Sequence, residues 1–598
     1  MTTSALDRVT QPGWPSSAPP PSGPRAPAHA SLTRLVPLAI LALAIIASFT
    51  SLRSGFAYDD VHIIERNARA HGLHAWWRIF LEPYWPAQFG SDVYRPLALL
   101  AFAAEWALGG GATWVMHLGN VLLYAAVCLA VYALARTMLP RLAASITAAL
   151  FAVHPVHVEA VGNVVGQAEL LVALATVLSL AAYLRARAAG ELSARATLTI
   201  CAAYAAACLA KEQGIMLPVL VLAAECTVVA DHKPLLSRLR SLTPLMVMMA
   251  AVAAAYLAAR LAVTGRLGSN QIHLELATLS PAERALTVLA LVPEWVRLTL
   301  WPAQLSAFYF PPGTRAVHEL DIGALPGLML IAAVVWLAAI SARRRPVVTF
   351  GLLWFAAALL PVSNLLFPSG VMIAERTLFL PSVGALLALG AGAAWISERW
   401  DDVPRPGRLA IGAVLLALLT AGAWRSAARQ YVWRDNQTLF EQSVLDSPLS
   451  YESHHMYGRQ LLEARRWRDA ERELRSALAL YQRDPAVYYA LASEYREIGV
   501  CKPAIGLFRQ AIAMRPDDSD YQLGLVACLL REARFEDARD ESRVALRRWA
   551  GNPNFERLLA VADSVLAARS ATGTPVPPAR RAASGSLQDT VQNTAAGK

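Results

Sequence analysis

The chain has 598 residues, 56 % hydrophobic and 16 % charged, a balance too apolar for a string of soluble domains and long enough for several structural units. Its 54 basic and 44 acidic residues leave a formal charge of +10. No basic-aromatic array or nucleic-acid motif accompanies the excess, so nucleic acid is set aside as a partner and the charge is read as membrane topology.

Residues 1–32 are rich in Pro, Ser and Ala without periodicity and are expected to form a disordered cytoplasmic tail. The first apolar run, Leu35 to Thr50, starts late and has no clear small-residue cleavage pattern after it, so an anchor is expected rather than a cleaved signal. About eleven runs come close to the ~20 residues that a bilayer core requires or fall a little short of it, the one around Tyr204 being short. They centre on Ile40, Cys128, Ala149, Ala175, Tyr204, Leu220, Ala253, Leu330, Phe355, Leu387 and Leu415. Two near-spans, 97–108 and 285–301, carry Trp with Arg or Glu and read as interfacial or re-entrant helices. Together these runs predict an all-α membrane core over residues 33–428, with a first outer loop at 54–114.

Every second loop is basic: Arg136 and Arg141; Arg185, Arg187 and Arg195; Lys233, Arg238 and Arg240; Arg343, Arg344 and Arg345; Arg399, Arg405 and Arg408. The positive-inside rule makes these loops, and the N-terminus, cytoplasmic. The alternate loops then face outward, and every unusual polar cluster falls there: Asp59-Asp60, His154-Pro-Val-His157-Val-Glu159, Lys211-Glu212, the 264–324 segment and Ala374-Glu375-Arg376. An odd number of spans puts the C-terminal part on the same face. Basic residues are nearly all Arg, with Lys only at Lys211, Lys233, Lys502 and Lys598. That bias suggests a GC-rich coding sequence, and so a bacterial inner membrane and a periplasmic or extracytoplasmic C-terminal part.

Beyond the last span, residues 429–569 repeat every 34 residues. Ala470, Ala504 and Ala538 are in register, as are Leu474, Phe508 and Ser542, and Ala477, Ala511 and Ala545. A helix-turn-helix of this period with small residues at the packing positions reads as a tetratricopeptide-repeat solenoid. Residues 570–598 return to a polar tail expected to be disordered. Of the six cysteines, Cys128, Cys201, Cys208 and Cys226 lie in apolar runs and read as small hydrophobes; Cys501 and Cys528 could bridge in an oxidising compartment.

Adjacent carboxylates just beyond a span are costly to place, so Asp59 and Asp60 are candidate functional residues, against the alternative of a helix cap and a solvated loop charge. Such a pair can act as a general base or hold a divalent cation, and both roles stay open. His154, His157 and Glu159 could bind metal, hydrogen-bond a phosphate or sugar, or be structural, with Pro155 breaking ideal helical presentation. Arg95, Lys211 and Arg376 are outward cations for which topology gives no reason; an anionic ligand would, and so would snorkelling at the interface. Glu212 and Glu375 could pair with their neighbours.

Taken in order, Tyr58-Asp59-Asp60, Tyr94-Arg95-Pro96-Leu97, Phe151 to Val161 around His154, His157 and Glu159, Lys211-Glu212-Gln213-Gly214, Ala374-Glu375-Arg376 through Pro381 to Gly384, and Trp433-Arg-Asp-Asn436 before the repeats resemble the transmembrane and tetratricopeptide-repeat-containing O-mannosyltransferases. The resemblance implies a membrane glycosyltransferase core of the GT-C class that uses a polyprenyl-phosphate sugar as donor. It further implies Asp59 or Asp60 as base on the acceptor hydroxyl, and Arg95, His154, His157, Glu159, Lys211, Glu212 and Arg376 as holders of the donor phosphate or shapers of its pocket. The repeats would present a protein or peptide acceptor. Where relatives carry Gly-Arg-Ala-Asp, this chain has Gly166-Gln167-Ala168-Glu169, which puts phosphate binding there in doubt. Two alternatives are a same-class transferase acting on a lipid or glycan, and a non-catalytic scaffold that recruits partners through its repeats.

Overall fold

The computed structural model describes residues 29–572, apart from 87, 88, 90–92, 191, 269–271, 311–315, 320 and 321. Most of the two expected tails lies outside the described residues, although helix already begins at His29 and the last helix, Pro553–Thr572, runs past Ser570. Among the described residues there is helix and no strand, so the all-α expectation holds.

Among the described residues seven helices are long and apolar enough to cross a membrane: Leu35–Arg53, Thr113–Ala135, Val164–Ala188, Thr243–Thr264, Ile322–Ser341, Glu375–Glu398 and Arg405–Trp433. An eighth crossing exists if Arg141–Ala152 and Pro155–Gly162, bent by 49°, are one broken span. The break falls where Pro155 removes a backbone donor and holds His154 extended, with ψ 119°. The expected runs around Tyr204, Leu220 and Phe355 lie in shorter helices, Ala194–Ala210, Leu217–Thr227 and Pro346–Leu359. The first two stop short because the chain turns at Lys211-Glu212, placing polar residues where a further helical turn would stand. Of the two near-spans, Pro96–Gly109 is a short apolar helix. Pro281–Leu300 opens with a Ser280–Glu283 capping box, contains Pro293, and packs Leu291, Trp295 and Leu298 against Val156 and Leu378.

The core of the helical bundle is a cluster that includes Tyr124, Phe151, Tyr183, Trp354 and Phe379. Pro346–Leu359 and Phe379–Glu398 meet at Gly351 and Gly384, where a Cβ on either glycine would stand 2.3–2.4 Å from the other's carbonyl oxygen. Small residues let two helices approach to backbone contact in this way. Trp354 locks the crossing by donating its indole N–H to the Leu380 carbonyl at 2.9 Å. At one end of the bundle Arg187 and Arg238, from two different basic loops, converge on the buried Glu225 carboxylate, as the charge alternation requires.

The C-terminal helices keep the period. Tyr451–Glu463, Pro485–Glu497, Ser519–Arg531 and Pro553–Thr572 alternate with Trp467–Leu480, Cys501–Met514 and Phe535–Arg548. Ala470, Ala504 and Ala538 are fully buried between them. Cys501 and Cys528 are buried, unbridged thiols. Three residues in one register, Arg465, Gly499 and Ala533, end their helices with φ of +57°, +82° and +57°. Only glycine takes this conformation without a steric penalty. Ala533→Gly should therefore stabilise the repeats by about 0.5–1 kcal/mol, and Gly499→Ala should cost about 1 kcal/mol. Thermal unfolding of the detergent-solubilised chain checks both.

Candidate active site

The first span ends at Arg53, and the following Ser54–Asp60 segment is held from several directions. His117 donates its ring N–H to the Gly55 carbonyl at 3.0 Å, and the Gly55 N–H bonds the Arg434 carbonyl at 2.8 Å. Tyr58 has a φ of +55°, the left-handed region, which costs a non-glycine residue about 1–2 kcal/mol. Its N–H donates to Asn436 Oδ1 at 2.6 Å. Its ring meets Phe308 and Phe440 edge-on, at centroid distances of 5.5 and 6.4 Å.

The structure gives the two acids different surroundings. Asp60 is 1 % exposed. Its Oδ1 accepts the Val165 N–H at 2.8 Å, and its Oδ2 accepts those of Val164 at 3.1 Å and Ala57 at 3.4 Å. Burial pushes its pKa up to about 7, against three backbone donors that favour the ionised form. Asp59 is half-buried and accepts no hydrogen bond among the described residues. Burial pushes it up to about 6, opposed by Arg376 and Arg95 and assisted by Glu159. Because both Asp60 oxygens are engaged, the pair does not present two free carboxylates to one cation. The described group with metal-ligand proximity lies elsewhere, at Glu452, His455 and Asp484 in the repeats.

Around Asp59 the expected cations all have partners. Arg376 bonds the 1 %-exposed Glu159 through its guanidinium, and its backbone N–H donates to the same carboxylate at 2.8 Å. No other protein partner engages its remaining guanidinium nitrogens among the described residues. Arg95 grips Glu212 with Nε and Nη2, the former at 2.9 Å, and its guanidinium lies 5.6 Å from the Tyr84 ring centroid. Burial pulls Glu212 upward, but Arg95 and Lys211 outweigh it and hold the carboxyl well below its ordinary range. Lys211 pairs with Glu169, both side chains being almost fully buried. Asp59, Arg95, Glu159, Lys211, Glu212 and Arg376 thus share one electrostatic field, with Glu169 joining them.

The histidines lie behind this cluster. His157, 1 % exposed, stands between the Tyr124 hydroxyl at 3.1 Å and Ser382 Oγ at 2.9 Å. His154 donates Nε2–H to the Thr299 carbonyl at 2.9 Å and accepts the Val156 N–H at 3.3 Å. All four ring nitrogens are engaged within the protein. Glu375, next to Arg376 in sequence, turns away to accept the Ser306 N–H at 2.6 Å and the Tyr309 hydroxyl at 2.8 Å. Gln167 donates to Glu105 at 2.6 Å, so its side chain bonds outside the cluster of cations. Sequence reasoning did not single out Asn436 and Glu169 as part of the site. Each stands in a quoted motif, but only the fold reveals its partner.

These observations define an all-helical membrane protein with an acid–cation cluster at one end of its bundle and helical repeats packed against the acid-bearing loop. No family model matches the chain. Its curated relatives are protein O-mannosyl-transferases, which bears out the resemblance read from the ordered motifs. TMTC3 of Mus musculus is 28 % identical over 435 residues, 66 % of this chain and 46 % of that protein. TMTC4 of Homo sapiens is 25 % identical over 480 residues, 71 % and 64 %. Tmtc2 of Drosophila melanogaster reaches 40 % over 149 residues, 24 % and 16 %. This chain therefore spans about half to two thirds of the length of the first two of these relatives. Among solved structures, an Archaeoglobus fulgidus oligosaccharyltransferase tethered with an acceptor peptide aligns at 16 % identity and a TM-score of 0.38, over 69 % of this chain and 57 % of that one. The Cut9–Hcn1 complex aligns at 14 % identity and 0.24, over 78 % and 89 %.

The buried Lys211–Glu169 pair gives a direct test of the cluster. Lys211→Met leaves Glu169 buried without its cation and should destabilise the chain by about 3–5 kcal/mol, whereas Lys211→Met with Glu169→Leu should recover most of that loss. A double-mutant cycle on thermal unfolding in detergent measures it.

Proposed function

We propose that this chain is an integral-membrane glycosyltransferase that moves a sugar, mannose by analogy with its relatives, from a polyprenyl-phosphate donor to Ser or Thr hydroxyls of an extracytoplasmic protein. The observation that carries the reading is the division of labour between the acids. Asp60 is consumed by backbone donors, while Asp59 keeps an unbonded, half-buried carboxylate in the field of Arg376. A general base needs an available lone pair and a pKa near the working pH, and Asp59 has both.

In the proposed reaction Asp59 takes the proton of the acceptor hydroxyl as its oxygen bonds to C1 of the sugar. The bond from C1 to the donor phosphate oxygen breaks, and its electron pair leaves with the phosphate. Arg376, with guanidinium nitrogens to spare, offsets the charge developing there, and Arg95 supports it from its pairing with Glu212. Asp60 positions the loop. A cavity of about 510 Å³ between Pro281–Leu300 and the 446–450 turn is lined by Ser306, Phe308 and Phe310. Phe308 touches the Tyr58 ring, so an acceptor segment lying there would reach the acid loop.

Transfer assayed in membranes with labelled polyprenyl-phosphate mannose and an extracytoplasmic protein extract tests the reading. Asp59→Asn should lower transfer by about 10²–10⁴-fold with insertion unchanged. Asp60→Asn should act mainly on stability, by about 1–3 kcal/mol, because its amide nitrogen cannot accept the N–H groups now facing the carboxylate. Wild-type transfer should level off above pH ~6–7 and fall about tenfold per pH unit below it, as Asp59 takes up a proton and ceases to be a base. Full activity of Asp59→Asn would remove Asp59 as the base, and equal silence of wild type and variant with several donor sugars would remove the transferase assignment. A topology reporter fused near residue 440 should report the extracytoplasmic side; a cytoplasmic result would turn the acid loop away from its proposed acceptors.

A further inference from the structure

We infer that the start of the repeat domain is a working part of the active site, with Asn436 as the positioning residue that sets the direction of Asp59; this rests on the reading of Asp59 as the base. Two hydrogen bonds join the acid loop to the Trp433–Asn436 segment. One is the Gly55 N–H to the Arg434 carbonyl, the other the Tyr58 N–H to Asn436 Oδ1. They are reinforced by an apolar seat in which Ala57 packs with Trp433, Leu439 and Phe440, and Tyr58 lies against them. Asn436 opens the helix Asn436–Asp446, whose N-cap is supplied separately by Asp435 accepting the Thr438 N–H at 2.8 Å. The Asn436 amide oxygen is therefore spared from capping and points out of the helix at the loop.

What it holds there is a strained residue. A bulky side chain with φ of +55° persists only where its surroundings over-determine it. Tyr58 immediately precedes Asp59, and its backbone torsion fixes the direction in which Asp59 leaves the chain. Relaxation of Tyr58 to the right-handed or extended region would swing the Asp59 carboxylate out of the field of Arg376. Asp60, pinned independently by Val164 and Val165, anchors the far side of the turn. The strain is thus held between the membrane core on one side and the first repeat on the other. The repeats cannot detach without altering the base, so acceptor capture and catalysis are mechanically linked.

Amide hydrogen exchange of peptides covering residues 55–61, measured on the full chain in detergent, reads the link without any assumption about chemistry. Asn436→Ala should speed exchange there about tenfold or more while peptides from the later repeats stay unchanged. In the transfer assay the same variant should lose about 10–100-fold in kcat, with the donor KM within about threefold. Asn436→Asp keeps the acceptor oxygen, so it should retain loop protection and most of kcat, with the acid limb of the pH profile moved to higher pH by the added negative charge. Unchanged protection in Asn436→Ala, or lost protection with kcat and pH profile unaltered, overturns the proposal. Loss of protection in a chain whose wild type transfers no sugar would support the mechanical link while removing the transferase reading, so the two failures are separable.

Discussion

The site depends on one buried carboxylate. Asp60 accepts N–H groups from Ala57, in its own turn, and from Val164 and Val165, more than a hundred residues further on. The last two contacts stitch the loop after the first span to the short 3-10 turn Val164–Gly166 that precedes the helix Gln167–Ala188, and the first closes the loop's own turn. A carboxylate without such donors would not tolerate burial at this depth, and the donors would be orphaned without the carboxylate. With that stitch made, Asp59 is left facing outward from a turn whose position is already determined. The chain uses two adjacent acids for two different physical jobs, support and exposure, and each job makes the other possible.

The cations follow the same economy. Each of the three has one carboxylate partner, Arg95 with Glu212, Lys211 with Glu169 and Arg376 with Glu159, and the pairs differ in how much of the cation they consume. Lys211 is enclosed with its partner, Arg95 gives two nitrogens to Glu212, and Arg376 keeps nitrogens to spare because Glu159 also takes its backbone N–H. Asp59 is the carboxylate left over. An anionic donor entering this field would push Asp59 further up, toward the pH at which a carboxylate is most effective as a base. Without such an anion, Arg376 and Arg95 oppose the upward pull of burial on Asp59.

Much of this was legible in the chain. The ordered motifs named most of the residues that meet, and the alternation of basic loops placed them at one end before any contact was known. The 34-residue period survives in the structure down to the left-handed residues at Arg465, Gly499 and Ala533. What could not be read were the pairings, because they join residues 40 to more than 200 positions apart. Sequence pattern gives the face of a helix but not which of two outward carboxylates a distant N–H will reach, so Asp59 and Asp60 looked alike. The roles of the histidines stayed open for the same reason: a His-x-x-His spacing carries no sign that Tyr124, Ser382 and Thr299 will occupy the rings. The helices at Tyr204 and Leu220 are shorter than a full span because the chain turns at Lys211-Glu212, which hydropathy does not register.

That turn and the break at Pro155 share a physical logic. A continuous helix satisfies its own backbone groups and offers a bilayer-facing bundle nothing to bind with. Where the chain breaks and restarts, the first N–H groups of the new helical segment lack intrahelical partners and carry the positive end of the helix dipole, which makes them ready for a carboxylate. Val164 and Val165 supply such groups to Asp60. Pro155 starts a short segment, 155–162, that carries Glu159 to Arg376, and Lys211-Glu212 begins the segment that brings Glu212 to Arg95. In every case the polar residue and the discontinuity are one feature seen twice. At Asp60 and Glu159 the charge is met by backbone N–H groups freed where a helical segment begins, and at Glu212 by the Arg95 guanidinium.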